Sequence, residues 1–358
     1  MKKIVLTGGG TAGHVTPNIA LLPALCKMGC EIHYIGDVNG MEKRLMAPFD
    51  FVTYHGISTG KLRRYLSVQN LKDPFKVLKG ISQSKKLLGE IRPDVIFAKG
   101  GFVSVPVVMA AKKHKIPVVL HESDFTIGLA NRISAPRASI VCTSFAPTVN
   151  EVKGGHGVWT GSPVREELLH ATRTQAQDFF KFPVPEQPTL VFMGGSLGAQ
   201  ALNRALSDCF EALVRRYNII HIAGRGNLDP GLVHPNYRAY EYLTEEMPLV
   251  FAAADLFVCR SGANTLFELL ATKRPGVLVP LPSKSSRGDQ LLNAEFFAEQ
   301  GYADVLPQET ITPESLQAAI HHGLETAQAK QQAMAQSPMQ NGTENVLRQI
   351  KAAAGWEE

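Results

Sequence analysis

Short apolar runs rich in β-branched residues alternate along the chain with longer segments whose apolar residues recur at helical spacing. This alternation is typical of parallel strands joined by helical crossovers, so it predicts the α/β class. The runs fall into two sets, which predicts two doubly wound domains rather than one sheet. The first set is KIVLTGG, EIHYIGD, FVTYHGI, DVIFAKGG, PVVLHES, SIVCTS and GVWTGSP, and the second is TLVFMGGS, NIIHIAGRG, YRAYEYL, DLFVCRSG, GVLVPLP and ADVLPQ.

A helical segment and the proline-rich stretch FPVPEQP separate the two sets, and we place the domain boundary near Val164. A length of 358 residues agrees with two domains of ordinary size. The sequence thus predicts an N-terminal domain over residues 1–164 and a C-terminal domain over residues 165–340. The tail from Asn341 has the pattern of a helix that can pack back on either domain, and we assign residues 341–358 to the first.

Composition narrows the class of protein. Apolar residues make up 44% and charged residues 19% of the chain, which is a globular profile. No apolar run approaches the roughly 18 residues of a membrane span, and the amino terminus lacks a signal-peptide core, so we expect neither insertion nor secretion. Five scattered cysteines in apolar runs indicate buried thiols in a reducing cytoplasm. We find no metal-ligand spacing of the CxxC or HxxxH kind.

A glycine-rich loop from Gly8 to His14 follows the first strand and precedes an apolar-periodic helix. Its glycines let the backbone approach a ligand, and the helix amino terminus offers N–H groups, so we predict an anion or sugar site. Gly8, Gly10 and Gly13 also satisfy GxGxxG, and Asp37 ends the second strand, which keeps an NAD-dependent oxidoreductase as a rival. His14 is a candidate general base facing an interdomain cleft.

Three motifs of the second half suit a nucleotide sugar. GGSLGAQALN places Ser196 in a turn before a helix, where a hydroxyl and backbone amides suit a phosphate. In CRSGANTLFELL, a helix beginning near Ala263 brings Thr265 to a phosphate and Glu268 to the ribose hydroxyls. Gln290, near the start of a later helix, can donate to and accept from sugar hydroxyls. Taken alone, each motif is also an ordinary turn or capped helix.

With GGGTAGH, HESD, GSPVRE, GGSLGAQALN, CRSGANTLFE and DQLLNA in this order over nearly the whole chain, the sequence resembles the MurG family, the bacterial peptidoglycan N-acetylglucosaminyltransferases of glycosyltransferase family 28. The resemblance implies the GT-B fold, with two Rossmann-like domains and a cleft between them. It implies inverting transfer of GlcNAc from UDP-GlcNAc to the C4 hydroxyl of undecaprenyl-pyrophosphoryl-MurNAc-pentapeptide (lipid I), which forms lipid II. A metal-independent reaction without a cofactor is implied as well, in agreement with the absence of an Asp-x-Asp pair.

The family's motifs also imply roles for single residues. His14 is the implied catalytic base, and Glu122 of HESD is a second candidate base or an orienting group. Arg165 and Ser196 are implied to hold the diphosphate, and Gln290 to read GlcNAc hydroxyls. The other implied donor contacts are Thr11, Ala12 and Gly13 near the sugar, the backbone of Leu243 on uracil, and Gly262, Ala263, Asn264, Thr265, Leu266, Phe267 and Glu268 around the nucleotide.

Two positions depart from the family pattern. Asp124 stands where many members have asparagine, and Asp289 precedes Gln290 where some members have a glutamine pair. We therefore leave Asp124 and Asp289 out of the predicted donor site.

Positive charge is concentrated between Lys61 and Lys115. This stretch contains thirteen Lys or Arg residues and three acidic residues, whereas the whole chain has a net charge of +5. Apolar side chains such as Phe75 and Leu78 lie among these lysines, and such a surface suits anionic lipid headgroups. The alternative is an ordinary helix with a solvated lysine face. Nucleic acid is not expected, because no recognised binding module is present. Since lipid I stays in the bilayer, we predict peripheral docking on the cytoplasmic face of the plasma membrane.

Three rival functions remain open. One is another UDP-sugar enzyme of the same architecture, such as a diacylglycerol glucosyltransferase or a UDP-GlcNAc 2-epimerase. The others are the NAD-dependent oxidoreductase and a noncatalytic nucleotide-binding membrane adaptor. These rivals leave the later motifs unexplained.

Overall fold

The computed structural model describes residues 1–60, 69–194, 199–283 and 288–356, with the backbone alone at 69–73. The chain divides into two compact units, Met1–Arg165 with Asn341–Glu358, and Glu166–Gln340. Each unit is built on a parallel sheet, which confirms the predicted α/β class.

Every apolar run expected as a strand forms one. The central strands of both sheets are buried along most or all of their length, as expected for a parallel sheet with helices on both faces. The strands are β1 Lys3–Thr7, β2 Glu31–Asp37, β3 Val52–Ile57, β4 Val95–Ala98, β5 Val118–Glu122, β6 Ile140–Thr143, β7 Gly157–Trp159, β8 Thr189–Met193, β9 Asn218–Ile222, β10 Tyr237–Tyr240, β11 Leu256–Cys259, β12 Gly276–Leu278 and β13 Ala303–Val305.

The helices cross between these strands and begin and end on recognisable local signals. Pro17 lies in the first turn of the first long helix, where its missing N–H costs nothing. The helices of the described ranges are α1 Thr16–Lys27, α2 Met41–Met46, α3 Gln69–Ile91, α4 Ser104–His114, α5 Leu129–Ser134, α6 Arg173–Phe180, α7 Gln200–Asp208, α8 Phe210–Val214, α9 Met247–Ala253, α10 Ala263–Thr272, α11 Asp289–Glu299, α12 Pro313–Glu325, α13 Ala327–Ala335 and α14 Thr343–Ala354.

In the first unit, the described strands run in the order β3-β2-β1-β4-β5-β6-β7. Leu6 of β1 pairs with Tyr34 of β2 on one side and with Phe97 of β4 on the other. The direction of strand addition reverses between β1 and β4. In open parallel sheets, ligands bind at the carboxyl ends of the strands beside such a reversal. The loops after β1 and β4 therefore mark the expected site of this unit.

In the second unit, the described strands run in the order β10-β9-β8-β11-β12-β13. Here the reversal lies between β8 and β11, which pair in parallel from Leu190 opposite Leu256 to Met193 opposite Cys259. The loop after β8 includes residues 195–198, which lie outside the described ranges. The loop after β11 and the helix α10 that follows it mark the expected site of this unit.

The C-terminal helix α14 belongs to the first unit. It packs against α1 and against β4, β5 and β6. Val346 and Ile350 lie in the same buried cluster as Ile4 and Leu21. The second unit is thus inserted between two parts of the first, and the core of the first unit contains residues from both ends of the sequence.

Two findings bear on the expectations from composition. No helix in the described ranges is both long and apolar enough to cross a membrane. All five cysteines are free thiols, but only Cys142, Cys209 and Cys259 are buried; Cys26 is exposed and Cys30 is half-buried, so the expectation of buried thiols is wrong for these two.

Candidate active site

The loop after β1 rests directly on the loop after β4. Gly101 has a left-handed backbone, with φ 74°, and a Cβ atom there would lie 2.3 Å from the carbonyl oxygen of Gly9 and 3.0 Å from Nδ1 of His14. Only glycine fits so close a contact. Within the turn Ala12–His14, the His14 Nδ1 also lies 2.9 Å from Oγ1 of Thr11. The fold therefore places the imidazole beside the switch point of the first sheet.

Two buried side chains hold the glycine loop from below. The hydroxyl of Tyr34 donates to the carbonyl of Gly8 at 2.6 Å, and burial raises the pKa of this phenol well above its usual range. The Glu42 carboxylate accepts from the amides of Asp37 at 2.8 Å and Gly10 at 3.4 Å. A carboxylate next to Gly10 disfavours a phosphate there. Of the two ligands expected for this loop, a sugar therefore suits it better.

The carboxyl group of Asp37 is used within the first unit. It accepts from Oγ1 of Thr59 and, at 2.8 Å, from the amide of Asn39. The Asp37 carbonyl also accepts from the hydroxyl of Tyr54 at 2.7 Å. In a dinucleotide site this carboxylate would instead bind ribose hydroxyls. These contacts give the oxidoreductase no support.

Glu122 lies at the end of β5 and organises the segment that follows. Its carboxylate is buried and accepts from the amides of Asp124 at 3.1 Å and Gly128 at 2.8 Å, and from Nδ2 of Asn131 at 2.9 Å. Burial raises the pKa of Glu122, and the Gly128 amide acts in the opposite direction. Since three N–H groups already use its oxygens, the geometry favours the orienting role over the role of base.

His121 precedes Glu122 on β5 and is also buried. Its Nε2 donates to the carbonyl of Gly161 at 2.9 Å, which ties β5 to the loop after β7. Burial holds the pKa of His121 well below its ordinary value, so the ring is neutral at pH 7. This histidine stabilises the sheet edge.

Lys99, which follows β4, is a buried residue that was not expected from the sequence. Its side chain is 1% exposed, its Nζ donates to Oγ of Ser123, and burial lowers its pKa to about 8. The signal was present in the sequence, since AKGGFVS repeats the strand, glycine and helix pattern of the first motif. The burial of Lys99 was not predictable, because lysines are nearly always exposed.

The site of the second unit forms around the start of α10. Gly262 is the N-cap of this helix, which begins at Ala263 as expected. Ser261 is buried, and its Oγ donates to the carbonyl of Gln290 at 2.7 Å. The side chain of Asn293 donates in turn to the Ser261 carbonyl at 3.2 Å. These bonds join the amino-terminal turns of α10 and α11.

Gln290 therefore lies next to α10, as its expected role requires. Its Oε1 accepts from the amide of Leu281 at 3.1 Å. A sugar hydroxyl would thus meet the Nε2 group of Gln290, which can only donate.

The predicted nucleotide contacts of α10 differ in exposure. Asn264 and Thr265 are half-buried, and Glu268 is buried on the second turn of the helix. Leu266 and Phe267 are buried in the core, where Phe267 packs edge-on against the ring of Phe297. Any contact of Leu266 or Phe267 with a ligand must therefore come from the backbone.

The remaining predicted donor residues are more scattered. Leu243 is half-buried and follows β10, at the edge of the second sheet. Arg165 is the last residue of the first unit before the chain enters the second. Ser196 lies outside the described residues. Thr11, Ala12 and Gly13 surround His14 in the first unit.

A metal site is not evident in the part of the chain that the structure describes. There, no three His, Cys, Asp or Glu side chains come together in a way that suits a metal ion.

The sequence families agree with this geometry. The chain belongs to glycosyltransferase family 28: residues 4–143 match the family's N-terminal domain and residues 189–350 match its C-terminal domain. This match confirms the resemblance derived from the motifs and, with it, the GT-B fold class.

Among curated relatives, the chain is 47% identical to the UDP-N-acetylglucosamine--N-acetylmuramyl-(pentapeptide) pyrophosphoryl-undecaprenol N-acetylglucosamine transferase of Lachnoclostridium phytofermentans, over 97% of this chain and 98% of the relative. Among solved structures, it is similar to MurG of Acinetobacter baumannii, with a TM-score of 0.74, 27% identity, and coverage of 98% of this chain and 100% of that one.

A putative UDP-N-acetylglucosamine 2-epimerase from Listeria monocytogenes has a TM-score of 0.69 at 13% identity, over 100% of this chain and 98% of that one. This second likeness shows a shared fold alone.

Proposed function

We propose that this protein transfers GlcNAc from UDP-GlcNAc to the C4 hydroxyl of lipid I, with inversion, and so forms lipid II. The observation that carries the proposal is the identity of 47% over nearly the full length of a relative whose name states this transfer. The epimerase likeness is far weaker in sequence, at 13% identity. The family membership and the two switch-point sites agree with a sugar-nucleotide transferase.

The second unit binds the donor in this proposal. The amides at the start of α10 and the hydroxyl of Thr265 hold a phosphate, and Glu268 accepts from the ribose hydroxyls. The backbone of Leu243 reads uracil, and Nε2 of Gln290 donates to a GlcNAc hydroxyl. Ser196 and, from the end of the first unit, Arg165 complete the diphosphate contacts, with charge-assisted bonds that strengthen as UDP leaves. The remaining contacts with the nucleotide come from the backbone of Gly262, Ala263, Asn264, Leu266 and Phe267.

The first unit supplies the base. His14 takes the proton of the acceptor's C4 hydroxyl, the oxygen bonds to the anomeric carbon of GlcNAc, and the bond from that carbon to UDP breaks. Because Nδ1 of His14 lies against Thr11 and Gly101, Nε2 is the nitrogen that takes the proton. Glu122 orients the segment after β5. Thr11, Ala12 and Gly13 present the backbone near the donor sugar.

The leaving UDP is stabilised without a metal. Developing negative charge on the diphosphate is met by the amides of α10 and by the guanidinium of Arg165. No cofactor enters the reaction, because both broken and formed bonds are ordinary acetal and phosphate-ester bonds.

The acceptor is reached by docking on the cytoplasmic face of the plasma membrane. In α3, Phe75 is 73% exposed and Leu78 is 63% exposed, and the exposed Lys76 and Lys79 lie beside them. Exposed apolar side chains among lysines bind the surface of anionic bilayers. Residues 61–68, which open the basic stretch Lys61 to Lys115, lie outside the described ranges.

The proposal is tested by transfer of labelled GlcNAc from UDP-GlcNAc to a short-chain lipid I analogue in the presence of EDTA. The native chain should form lipid II at an undiminished rate. His14→Ala should lose about 10²- to 10⁴-fold in kcat, the range for a general base, and keep its affinity for UDP-GlcNAc. His170→Ala is the matched control. His170 is exposed, and its Nε2 lies 3.5 Å from Oε1 of Glu166, four residues earlier in the sequence.

Two outcomes would overturn parts of the proposal. If the native chain binds UDP-GlcNAc but transfers nothing, the lipid I acceptor is wrong, and formation of the 2-epimer should be assayed next. If EDTA abolishes transfer and Mg²⁺ restores it, the metal-independent reaction is wrong.

A further inference from the structure

Lys99 is a buried side chain that the roles above leave unused. It follows β4, its amide donates to the Thr7 carbonyl at 2.8 Å, and its Cβ would lie 3.1 Å from a Cβ on Gly8. The side chain therefore starts at the switch point of the first sheet, beside the loop that leads to His14. A buried lysine costs stability, so one at this position calls for a role.

The ammonium group of Lys99 contacts the segment after β5. Its Nζ donates to Oγ of Ser123, and the carboxylates of Glu122 and Asp124 lie on either side in the sequence and within electrostatic range. The other titratable groups around it are the buried thiol of Cys142 on β6 and the neutral ring of His121 on β5.

These surroundings decide the charge of Lys99. Burial lowers its pKa to about 8, and Glu122 and Asp124 act to raise it. At pH 7 the group is therefore mostly an ammonium ion, and it loses its proton within about one pH unit above pH 8.

We propose that Lys99 is a positioning residue for the transfer reaction, whose ammonium group anchors Ser123 and offsets the charge of Asp124, so that the segment after β5 keeps its place at the carboxyl end of the first sheet, where the loops after β1 and β4 meet. This inference rests on the function proposed above. It also gives a role to Asp124, which the sequence analysis left out of the donor site.

The decisive measurement is the fall of kcat at alkaline pH. Between pH 6 and pH 10, with saturating UDP-GlcNAc, kcat of the native chain should fall above a midpoint near 8, about tenfold for each further pH unit. Lys99→Met should lose about 10²-fold in kcat at pH 7 and lack this limb, because nothing remains to titrate. Lys99→Arg should restore part of kcat and move the limb to higher pH.

Asp124→Asn provides an independent variant. Removing its negative charge removes one interaction that raises the pKa of Lys99. The alkaline limb should therefore move to lower pH in this variant, while Lys99→Arg moves it in the opposite direction.

Misfolding is separated from lost positioning by two measurements. Lys99→Met should still unfold in one cooperative transition, although at a lower temperature because Glu122 and Asp124 lose the charge that faces them, and its affinity for UDP-GlcNAc should be unchanged. Lys112→Met is the matched control, since Lys112 is an exposed lysine on α4 and its loss should change neither kcat nor the profile.

The proposal is overturned if Lys99→Met keeps native kcat or keeps the alkaline limb. If the native chain transfers nothing, the proposed function fails, and NMR of ¹³Cε-labelled lysines decides on Lys99 separately. A resonance missing in Lys99→Arg that titrates near pH 8, and lower in Asp124→Asn, supports the charge arrangement, and its absence overturns it.

Discussion

The Nδ1 atom of His14 lies 3.0 Å from the point that a Cβ atom on Gly101 would occupy. Gly101→Ala should therefore displace the imidazole. Alanine adds the strain of a left-handed backbone, about 1–2 kcal/mol, and a contact with the carbonyl oxygen of Gly9. We expect kcat to fall about 10²-fold with UDP-GlcNAc affinity unchanged, measured by steady-state kinetics and calorimetry.

Gly29→Ala is the control for this variant. Gly29 has a similar left-handed φ of 69°, but no atom lies within 4 Å of its added Cβ. This variant should lose stability and keep kcat. Equal losses of activity in both variants would show that backbone strain, rather than contact with His14, decides the rate.

Gln290→Glu should separate recognition of the sugar from recognition of the nucleotide. A glutamate can still accept from the amide of Leu281, but it replaces the donor at Nε2 with an acceptor. We expect affinity for UDP-GlcNAc to fall about tenfold, as for the loss of one good hydrogen bond, and affinity for UDP to change less than about threefold. Gln300→Glu, exposed just beyond the end of the same helix, should leave both affinities unchanged.

His221 should make the stability of the second unit depend on pH. It lies buried on β9, where Nδ1 is 2.7 Å from the hydroxyl of Tyr237 and Nε2 is 3.1 Å from Oδ1 of Asn203. Burial lowers its pKa to about 4. Between pH 6.5 and pH 4, His221 is protonated in the unfolded chain but not in the folded chain. The stability of the second unit is therefore full above pH 6.5 and declines as the pH falls to about 4.

The size of this effect is about 3 kcal/mol, from a pKa difference of about two and a half units. Chemical unfolding of the native chain and of His221→Phe, measured from pH 7.5 to pH 4, tests it. The variant should be less stable at neutral pH and should show a smaller loss on acidification. Parallel curves would assign the acid sensitivity to other groups.

Phe75 and Leu78 should contribute to membrane binding. Replacing both with serine removes two exposed apolar side chains, each worth about 1.5–3 kcal/mol when fully buried. We expect at least tenfold weaker binding to vesicles that contain anionic lipid, in a sedimentation assay. Val233→Ser removes an 80% exposed apolar side chain from the second unit and should not change binding. Equal binding by all three proteins would contradict docking through α3.

The strands were predictable because each is a short apolar run bounded by glycine, proline or polar residues. Their order was not, because the pairing of β1 with β4 joins residues 91 positions apart, such as Ile4 and Val95. The sequence therefore indicated the glycine loop before His14 but not its neighbour, Gly101. Contacts of this kind depend on sheet order rather than on local pattern.

Burial of charged residues was the other feature that the pattern could not supply. Glu42 belongs to a short helix, MEKRLM, whose composition is typical of a solvated surface, yet its side chain is fully buried under the glycine loop. Lys99 is hidden in the same way. Gly9 lies against Glu42 and Gly8 lies against Lys99, and only the folded structure brings these distant parts of the chain together.

Because α14 completes the core of the first unit, the order of synthesis and the order of folding differ in this protein. Residues 166–340 leave the ribosome before Val346 and Ile350 can cover Ile4. The second unit can therefore fold on a growing chain while part of the first still exposes apolar surface. A nascent chain stalled short of residue 343 would be an early target for chaperones, although its second unit is already complete.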